Sequence, residues 1–285
     1  MSVCRFQETI VTDSMQHNEF QQNRGNAVDV VKGVDILIAI LAKDKAHCLQ
    51  LYLQCINNQT YPTKHIHLYI RTNDNKDDTS DVLEKYIEEN GTKYASIFYD
   101  KTNISETLKT YGHHEWNKDR FSILGKIRQD SIDYAIKLGV DYFVIDCDNF
   151  ITPNVISEMV KIREFGVLSP MLETTNYYSN FHYACDDNGY YANDEKYMDV
   201  LYRKIKGLIE VKVVHCTYYI KNEILPLIRY ADDTSRHEYV IFSERLRKMA
   251  IPQYIDNRQF YGFIVFDETK EEFEKNVSTN WSSKM

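Results

Sequence analysis

The chain has 285 residues, of which 43% are hydrophobic and 27% are charged, and its formal net charge is −8. These values are ordinary for a globular protein and predict one large domain or two small ones with a sizeable core. The acidic balance argues against a nucleic-acid or membrane-surface binder, because those partners reward clustered Lys and Arg, and no apolar run is long enough to span a bilayer.

The N-terminal segment 1–33 is rich in Gln and Asn and lacks the basic-then-apolar pattern of a secretory signal. We predict that it is a poorly ordered lead-in. The six cysteines of the chain include no pair at metal or redox spacing. This spacing favours reduced thiols and a cytoplasmic location.

From residue 34 onward, strand-like and helix-like patterns alternate. The predicted strands are 34–42, 65–72, 94–100 and 142–145, and the helices between them are 47–58, 79–90 and 119–139. This alternation predicts parallel crossovers and therefore a doubly wound, mostly parallel α/β sheet. Thr152 and Pro153 are typical of a helix start.

After Gly166 the pattern loosens into shorter strands, including the run VKVVHCTYYI, and a further helix is predicted at 239–250. We see no internal repeat and no linker. The sequence therefore predicts a single domain over 34–270 with an irregular C-terminal half, followed by a C-terminal tail at 271–285.

Three polar segments leave the ends of predicted strands, at 42–47, 71–79 and 146–150. Open α/β sheets bind ligands outside the carboxyl ends of their strands. Asp146 and Asp148 belong to the last segment, and a turn at Cys147 would let both carboxylates face one ligand. Two close carboxylates repel each other, and a divalent cation such as Mg²⁺ or Mn²⁺ removes that repulsion.

The D-x-D pattern alone leaves alternatives open. Asp148 could simply cap the turn while Asp146 is solvated. If the pair is functional, the pattern is compatible with glycosyl transfer, phosphoryl transfer and phosphatase chemistry.

Cations and a histidine add further candidates. Lys118 and Arg120 begin the long predicted helix, where the helix dipole disfavours cations, so a nearby anion would explain them, and Arg128 follows on the side of Arg120. The alternative is pairing with local acids such as Asp119. His215, in the last strand-like run, would complete a metal set with the two aspartates, although a lone His in a strand is more often a core residue.

Several longer stretches are more specific than D-x-D, and they occur in the order ILIAILAKDKAHCLQLYLQCINNQTYP, IHLYIRTNDNKDDT, RFSILGKIRQDSIDYA, DYFVIDCDNFITP, SPMLETTNYYSNF, VVHCTYYI and YGFIVF. Together they resemble the N-terminal transferase domain of procollagen galactosyltransferases, of the glycosyltransferase 25 type, over residues 34–266. The resemblance implies a GT-A fold, a UDP-sugar donor and a Mn²⁺ ion held by the D-x-D acids.

The implied activity is transfer of a hexose, galactose or glucose, to a hydroxyl of a protein or glycan acceptor, including hydroxylysine of a collagen-like protein. The metal set would be Asp146, Asp148 and His215, with Mn²⁺ or Mg²⁺. The expected substrate contacts are nucleoside to Thr72 and Asp74, diphosphate to Arg120 and Arg128, and sugar or acceptor to Glu173, Tyr178, Ser179 and Asn180.

Glu238, at the start of the last predicted helix, is the candidate general base of an inverting reaction. The alternative is that it only complements the helix dipole.

Other activities stay open at this point. Collagen-modifying members of the family carry a second transferase domain after this one, whereas this sequence ends at Met285. A cytosolic or virus-encoded hexosyltransferase with another acceptor is therefore an equal expectation, and a transferase-like module that has lost turnover is the main alternative. A phosphoryl transferase is disfavoured because the chain has no G-x-x-x-x-G-K-[ST] loop.

Overall fold

The computed structural model describes residues 33–104 and 118–284, and the described residues from Val34 onward belong to one compact unit. Within the described part, helices alternate with strands through the N-terminal half, as predicted. The helices are α1 (Ala46–Asn57), α2 (Thr79–Asn90), α3 (Lys118–Leu138), α4 (Val155–Lys161), α5 (Glu195–Leu201), α6 (Glu238–Lys248) and α7 (Lys270–Asn280). None of these described helices is both long enough and apolar enough to cross a membrane.

The strands are β1 (Ile36–Ala42), β2 (Ile66–Thr72), β3 (Ser96–Asp100), β4 (Asp141–Ile145), β5 (Asn149–Ile151), β6 (Val167–Pro170), β7 (Phe181–His182), β8 (Ala184–Cys185), β9 (Tyr191–Ala192), β10 (Leu208–Val211), β11 (Val213–Val214), β12 (Thr217–Ile220), β13 (Gln253–Asp256) and β14 (Gly262–Ile264). Eight of them form the central sheet in the order β10-β13-β6-β12-β4-β1-β2-β3.

The pairing within this sheet is mostly parallel, which confirms the predicted fold class. β1 lies between β2 and β4 in parallel register, β2 continues to β3, and β13 is parallel to β6. The antiparallel exceptions are β12, inserted between β4 and β6, and β10, which adds an edge beside β13. The parallel β4-β1-β2-β3 half follows from helical crossovers, whereas β12 arrives from the irregular C-terminal half.

The core lies on both faces of the sheet because successive β1 side chains point in opposite directions. Ile36 and Ile38 pack with Leu49 of α1 on one face. Leu37 packs with Ile132 of α3 on the other. All of these residues are fully buried, and each such side chain contributes about 1.5–3 kcal/mol of hydrophobic stabilisation.

One strand prediction is wrong in a way that matters for the site. The run 211–220 is not one strand, because β11 and β12 are separated by His215 and Cys216. Cys216 has φ of 63°, in the left-handed region that a non-glycine residue rarely adopts. His215 therefore lies in the short connection between β11 and β12, next to the end of β4. The carbonyl of Cys216 accepts a hydrogen bond of 3.0 Å from the amide of Asp146.

The helix predicted to start at Thr152 begins two residues later than expected. Asn154 is the N-cap of α4, without a side-chain capping bond. The Thr152 hydroxyl instead donates to the Asn154 side chain at 2.9 Å. Tertiary pairing of β5 with β14 occupies the preceding residues and displaces the start.

The C-terminal segment folds back onto the domain. Phe273 of α7 packs against Phe150, with ring centroids 5.3 Å apart, and Trp281 stacks on Phe263 at 4.6 Å. Phe273 and Trp281 are only 5% and 3% exposed, so this segment covers part of the core near β5 and β14.

Candidate active site

The carboxyl ends of β1 and β4 border a cavity of about 1510 Å³. Its wall includes Lys43 and Lys45 from the loop after β1, Arg120 from the first turn of α3, and both Asp146 and Asp148. Ligand binding at this edge is what the sheet topology predicts. The structure therefore brings together the two predicted metal ligands and the predicted diphosphate contact Arg120.

Backbone strain is concentrated around this edge. Asp44, Asp74 and Cys216 have φ values of 53°, 49° and 63°, and they follow β1, follow β2 and precede β12, respectively. Single residues in the left-handed region are costly unless the surrounding structure holds them, and they are concentrated at binding and catalytic sites. The strain marks the same edge of the sheet as the two aspartates.

Hydrogen bonds between the first two crossover loops hold this strained backbone. The amide of Asp44 donates to Asn75 Oδ1 at 3.0 Å, and the amide of Lys76 donates to Asp44 Oδ1 at 2.6 Å. The amide of Lys45 donates to Thr79 Oγ1 at 2.7 Å. The loops after β1 and β2 thus form one rigid unit beside the cavity.

Asp146 is held by a buried arginine. Arg128 Nη2 donates to both carboxylate oxygens of Asp146, at 2.8 and 3.0 Å, and Arg128 Nε donates to Glu238 Oε1 at 3.2 Å. Arg128 is 6% exposed and Glu238 is 4% exposed. Burial raises the pKa of Asp146, and the charge of Asp148 also raises it, while the Arg128 guanidinium acts in the opposite direction. One guanidinium therefore joins the end of β4 to the start of α6.

Asp148 follows the tight turn at Cys147, in which the amide of Asn149 donates to the carbonyl of Asp146 at 2.9 Å. Its Oδ2 accepts a hydrogen bond of 3.2 Å from Lys45 Nζ, and its side chain is 20% exposed. Burial lowers the pKa of Lys45, whereas the charge of Asp148 and its hydrogen bond are among the contributions that raise it, and the pKa is raised overall. Each aspartate thus has its own cationic partner.

The two aspartates could hold a divalent cation. Mg²⁺ and Mn²⁺ bind one or two protein carboxylates and take their other oxygens from phosphates and water. Asp146 and Asp148 in the cavity wall fit that requirement. Within residues 33–104 and 118–284, however, no three His, Cys, Asp or Glu side chains are grouped so as to hold a metal ion. The predicted set with His215 is therefore not assembled, and the two aspartates would hold a metal with help from the ligand.

His215 lies instead in a group of aromatic rings. Its Nδ1 is 3.0 Å from Cys216 Sγ and 3.4 Å from the Tyr178 hydroxyl, and its ring centroid is 5.2 Å from that of Tyr239. Burial, with contributions from His182 and Arg128, lowers its pKa well below the usual value, so the imidazole is neutral. Its Nε2 is buried without a hydrogen-bond partner among the described residues.

The predicted nucleoside contacts lie at the end of β2 and in the loop that follows it. Thr72 Oγ1 accepts a bond of 2.6 Å from Asn75 Nδ2. Asp74 Oδ2 accepts from the amide of Ile104 at 3.1 Å, whereas Asp74 Oδ1 is buried with no hydrogen-bond partner among the described residues. An unsatisfied buried acceptor calls for an explanation, and a donor group from a ligand would supply one.

The predicted sugar or acceptor contacts separate into two groups. Ser179 and Asn180 point into the fold, where Ser179 Oγ donates to the Leu172 carbonyl at 2.8 Å and Asn180 Nδ2 donates to the Pro170 carbonyl at 2.9 Å. They are 1% and 0% exposed, so the structure gives their side chains a role in holding the loop after β6. Their contact with substrate stays a prediction.

Glu173 and Tyr178 are more accessible. Glu173 forms ion pairs with Arg203 and with Lys284, the latter at 2.8 Å. Tyr178 is 37% exposed and packs edge-on against Phe266, a residue of the cavity wall, at 5.3 Å. Tyr178 thus reaches the edge of the cavity through its contact with Phe266.

Lys45 is the residue that sequence reasoning missed. It lies in the polar segment 42–47 after the first predicted strand, so the rule that pointed to Asp146 and Asp148 also applied to it. Its partner is 103 positions away in the chain, which no local pattern indicates.

Residues 34–281 match the family model described as the N-terminal domain of glycosyltransferase family 25. Inactive glycosyltransferase 25 family member 3 of Mus musculus is 27% identical over 256 residues, which are 86% of this chain and 43% of that protein. Procollagen galactosyltransferase 2 of Mus musculus is 26% identical over 239 residues, covering 80% of this chain and 38% of that protein. The chain thus spans about two fifths of the length of these curated relatives.

Solved structures agree on the fold. The crystal structure of S. aureus TarS 1–349 in complex with UDP-GlcNAc superposes with a TM-score of 0.53 at 13% sequence identity, covering 87% of this chain and 61% of that chain. A second crystal structure of S. aureus TarS 1–349 gives the same TM-score and covers 81% of this chain and 60% of that chain. At this identity the likeness concerns the fold alone.

Proposed function

The chain belongs to glycosyltransferase family 25, and we propose that it is a metal-dependent glycosyltransferase. It would move a hexose, galactose or glucose, from a UDP-sugar to a hydroxyl group of a protein or glycan acceptor. The observation that carries the proposal is the position of Asp146 and Asp148 in the wall of a large cavity at the carboxyl edge of the sheet. The name of one relative, a procollagen galactosyltransferase, makes UDP-galactose and hydroxylysine the first pair to assay.

The donor site would be formed by residues of the cavity and of the loop beside it. Asp74 Oδ1, buried and without a described partner, is the acceptor offered to a nucleoside N–H, with Thr72 two residues before it at the end of β2. Arg120 in the cavity wall would face the diphosphate. A divalent cation held by Asp148 and Asp146 would neutralise charge on the departing diphosphate when bound.

Arg128 would have a different task from the diphosphate contact predicted from the sequence. Its Nη2 donates to Asp146 and its Nε donates to Glu238. Because it is buried between the two carboxylates, it would position them rather than bind the diphosphate directly.

In the proposed transfer step, Glu238 takes the proton of the acceptor hydroxyl. The acceptor hydroxyl oxygen would form a bond to the anomeric carbon while the bond from that carbon to the diphosphate oxygen breaks, and the electron pair leaves with UDP. The hydroxyl proton would pass to Glu238 Oε2, the carboxylate oxygen that has no described partner. Direct displacement of this kind inverts the anomeric configuration, so an α-linked donor would give a β-linked product.

The metal part of the proposal is tested by calorimetry of UDP binding with Mn²⁺ and with EDTA. Binding should be markedly tighter with Mn²⁺, and Asp148→Asn should remove most of that gain. Asp130→Asn is the matched control, because Asp130 is an exposed acid paired with Lys126 on the outer side of α3. Equal affinities with Mn²⁺ and EDTA in the unmodified protein would refute metal dependence.

The base is tested by single-turnover transfer from UDP-galactose and UDP-glucose. Glu238→Gln should keep UDP affinity and lose turnover by a factor of about 10²–10⁴. Glu244→Gln on the same helix, whose carboxylate pairs with Arg236 and Lys248, is the control. Unimpaired turnover in Glu238→Gln, or an α-linked product by NMR, would remove Glu238 from the mechanism.

A second function is favoured by one specific finding, since a relative of 27% identity is named an inactive member of the family. In that case the domain would bind a nucleotide sugar or a partner protein without turnover. Tight UDP-sugar binding with neither transfer nor donor hydrolysis, unchanged by Glu238→Gln, would decide for this binding module.

A further inference from the structure

The two aspartates of the site are neutralised in unequal ways. Asp146 receives two hydrogen bonds from Arg128, which is 6% exposed and is further fixed by Glu238. Asp148 receives one bond from Lys45, whose side chain is 29% exposed. Asp146 therefore keeps its cation permanently, whereas the pair of Asp148 and Lys45 is open to exchange with a ligand.

The backbone of Lys45 is held, so only its side chain is free to move. Its carbonyl accepts from the amides of Cys48 and Leu49 at 3.1 and 3.0 Å, and its amide donates to Thr79. Lys45 and Asp148 both belong to the cavity wall. A four-carbon side chain on this fixed base can turn from Asp148 into the cavity without any change in the fold.

We propose that Lys45 is the resident counter-ion of Asp148 and that it passes to the diphosphate when the donor binds, which leaves Asp148 to the divalent cation. The proposal rests on the proposed function, because it requires a nucleotide diphosphate in the cavity. An ammonium group and a divalent cation repel each other at one carboxylate, so the metal binds well only once a phosphate has attracted Lys45 away. Nucleotide and metal are then positively coupled ligands.

Lys45 lies outside the D-x-D pattern, so its role as a counter-ion is additional to that pattern. The exchange also imposes an order of events: the nucleotide, or the metal–nucleotide complex, binds before Asp148 receives the metal. Mn²⁺ by itself binds weakly because Lys45 competes with it.

Two substitutions test this with opposite expected signs. Lys45→Met should tighten Mn²⁺ binding without nucleotide, measured by the EPR signal of free Mn²⁺, and should weaken UDP binding in EDTA, each by roughly tenfold or more. Asp148→Asn frees Lys45 and should tighten UDP binding in EDTA while weakening Mn²⁺ binding. Lys85→Met is the control, since Lys85 lines the same cavity but its ion pair is with Glu89.

Thermal unfolding of each variant confirms that it is folded, and Lys45→Arg, which keeps the charge, should retain UDP binding in EDTA. UDP and Mn²⁺ affinities that Lys45→Met leaves unchanged would overturn the role of Lys45 while the transferase proposal stands. Absence of UDP binding in the unmodified protein would overturn both.

Discussion

The buried arginine at the centre of the site gives the sharpest stability prediction. Arg128→Met keeps most of the side-chain volume but removes the cation that Asp146 and Glu238 share. Breaking a buried ion pair by removing one partner costs about 3–5 kcal/mol, because an uncompensated charge stays behind. Here Glu238 is 4% exposed, so solvent cannot replace the lost guanidinium. At a urea slope of about 3 kcal/mol/M, the unfolding midpoint should fall by about 1–1.7 M.

A neutralised variant separates lost charge pairing from lost packing. In the triple variant Arg128→Met with Asp146→Asn and Glu238→Gln none of these three charges remains, and most of the lost free energy of unfolding should return. Lys126→Met is the matched control on α3, because its pair with Asp130 is exposed and worth at most about 1 kcal/mol.

The pH dependence has a definite sign. Burial already holds the pKa of Asp146 above its ordinary value in the folded protein, and removing Arg128 takes away the charge that opposes this rise, so Arg128→Met loses stability as pH rises through that pKa and regains it on acidification. A loss below about 1 kcal/mol at pH 7 in urea unfolding, or a triple variant no more stable than the single one, would show that Arg128 does not stabilise the two buried carboxylates.

Three further predictions concern stability. Burial lowers the pKa of His182 to about 4, below the unfolded value of about 6.5. Protons therefore bind preferentially to the unfolded chain, and stability is lost as pH falls from about 6.5 towards 4. His182→Phe should reduce that loss by about 3 kcal/mol in urea titrations at successive pH values. Gly262 has φ of 140°, and an added Cβ would lie 2.1 Å from the Phe150 carbonyl oxygen. Gly262→Ala should therefore lower the thermal midpoint far more than Gly139→Ala, where φ is 70° and no atom lies within 4 Å of an added Cβ. Equal effects of the two substitutions would contradict this. Trp281→Ala should cost about 3–5 kcal/mol by urea unfolding, since the ring is 3% exposed, and a loss below 1 kcal/mol would show that the C-terminal segment does not stabilise the domain.

Local sequence signals are enough to predict the order of elements in the N-terminal half. The predicted strands and helices from 34 to 145 coincide with β1, α1, β2, α2, β3, α3 and β4 to within two residues at nearly every boundary. This succeeded because alternating apolar runs, helical spacing and glycine stops are local signals. The same local signals placed Asp146 and Asp148 at the carboxyl end of a buried strand, where topology predicts a ligand.

Tertiary structure decided which charges meet and which side chains remain available to a ligand. Arg128 and Glu238 are 110 positions apart, and Lys45 and Asp148 are 103 apart, so their pairing depends on how the crossovers bring loops together. Ser179 and Asn180, polar in the sequence, are buried because the backbone after β6 needs their hydrogen bonds. His215 lies outside the strands because the left-handed conformation of Cys216 interrupts the predicted strand. Periodicity reports which face of an element is buried, but the partner of a buried charge is set by contacts between distant segments, and these form only when the sheet is assembled.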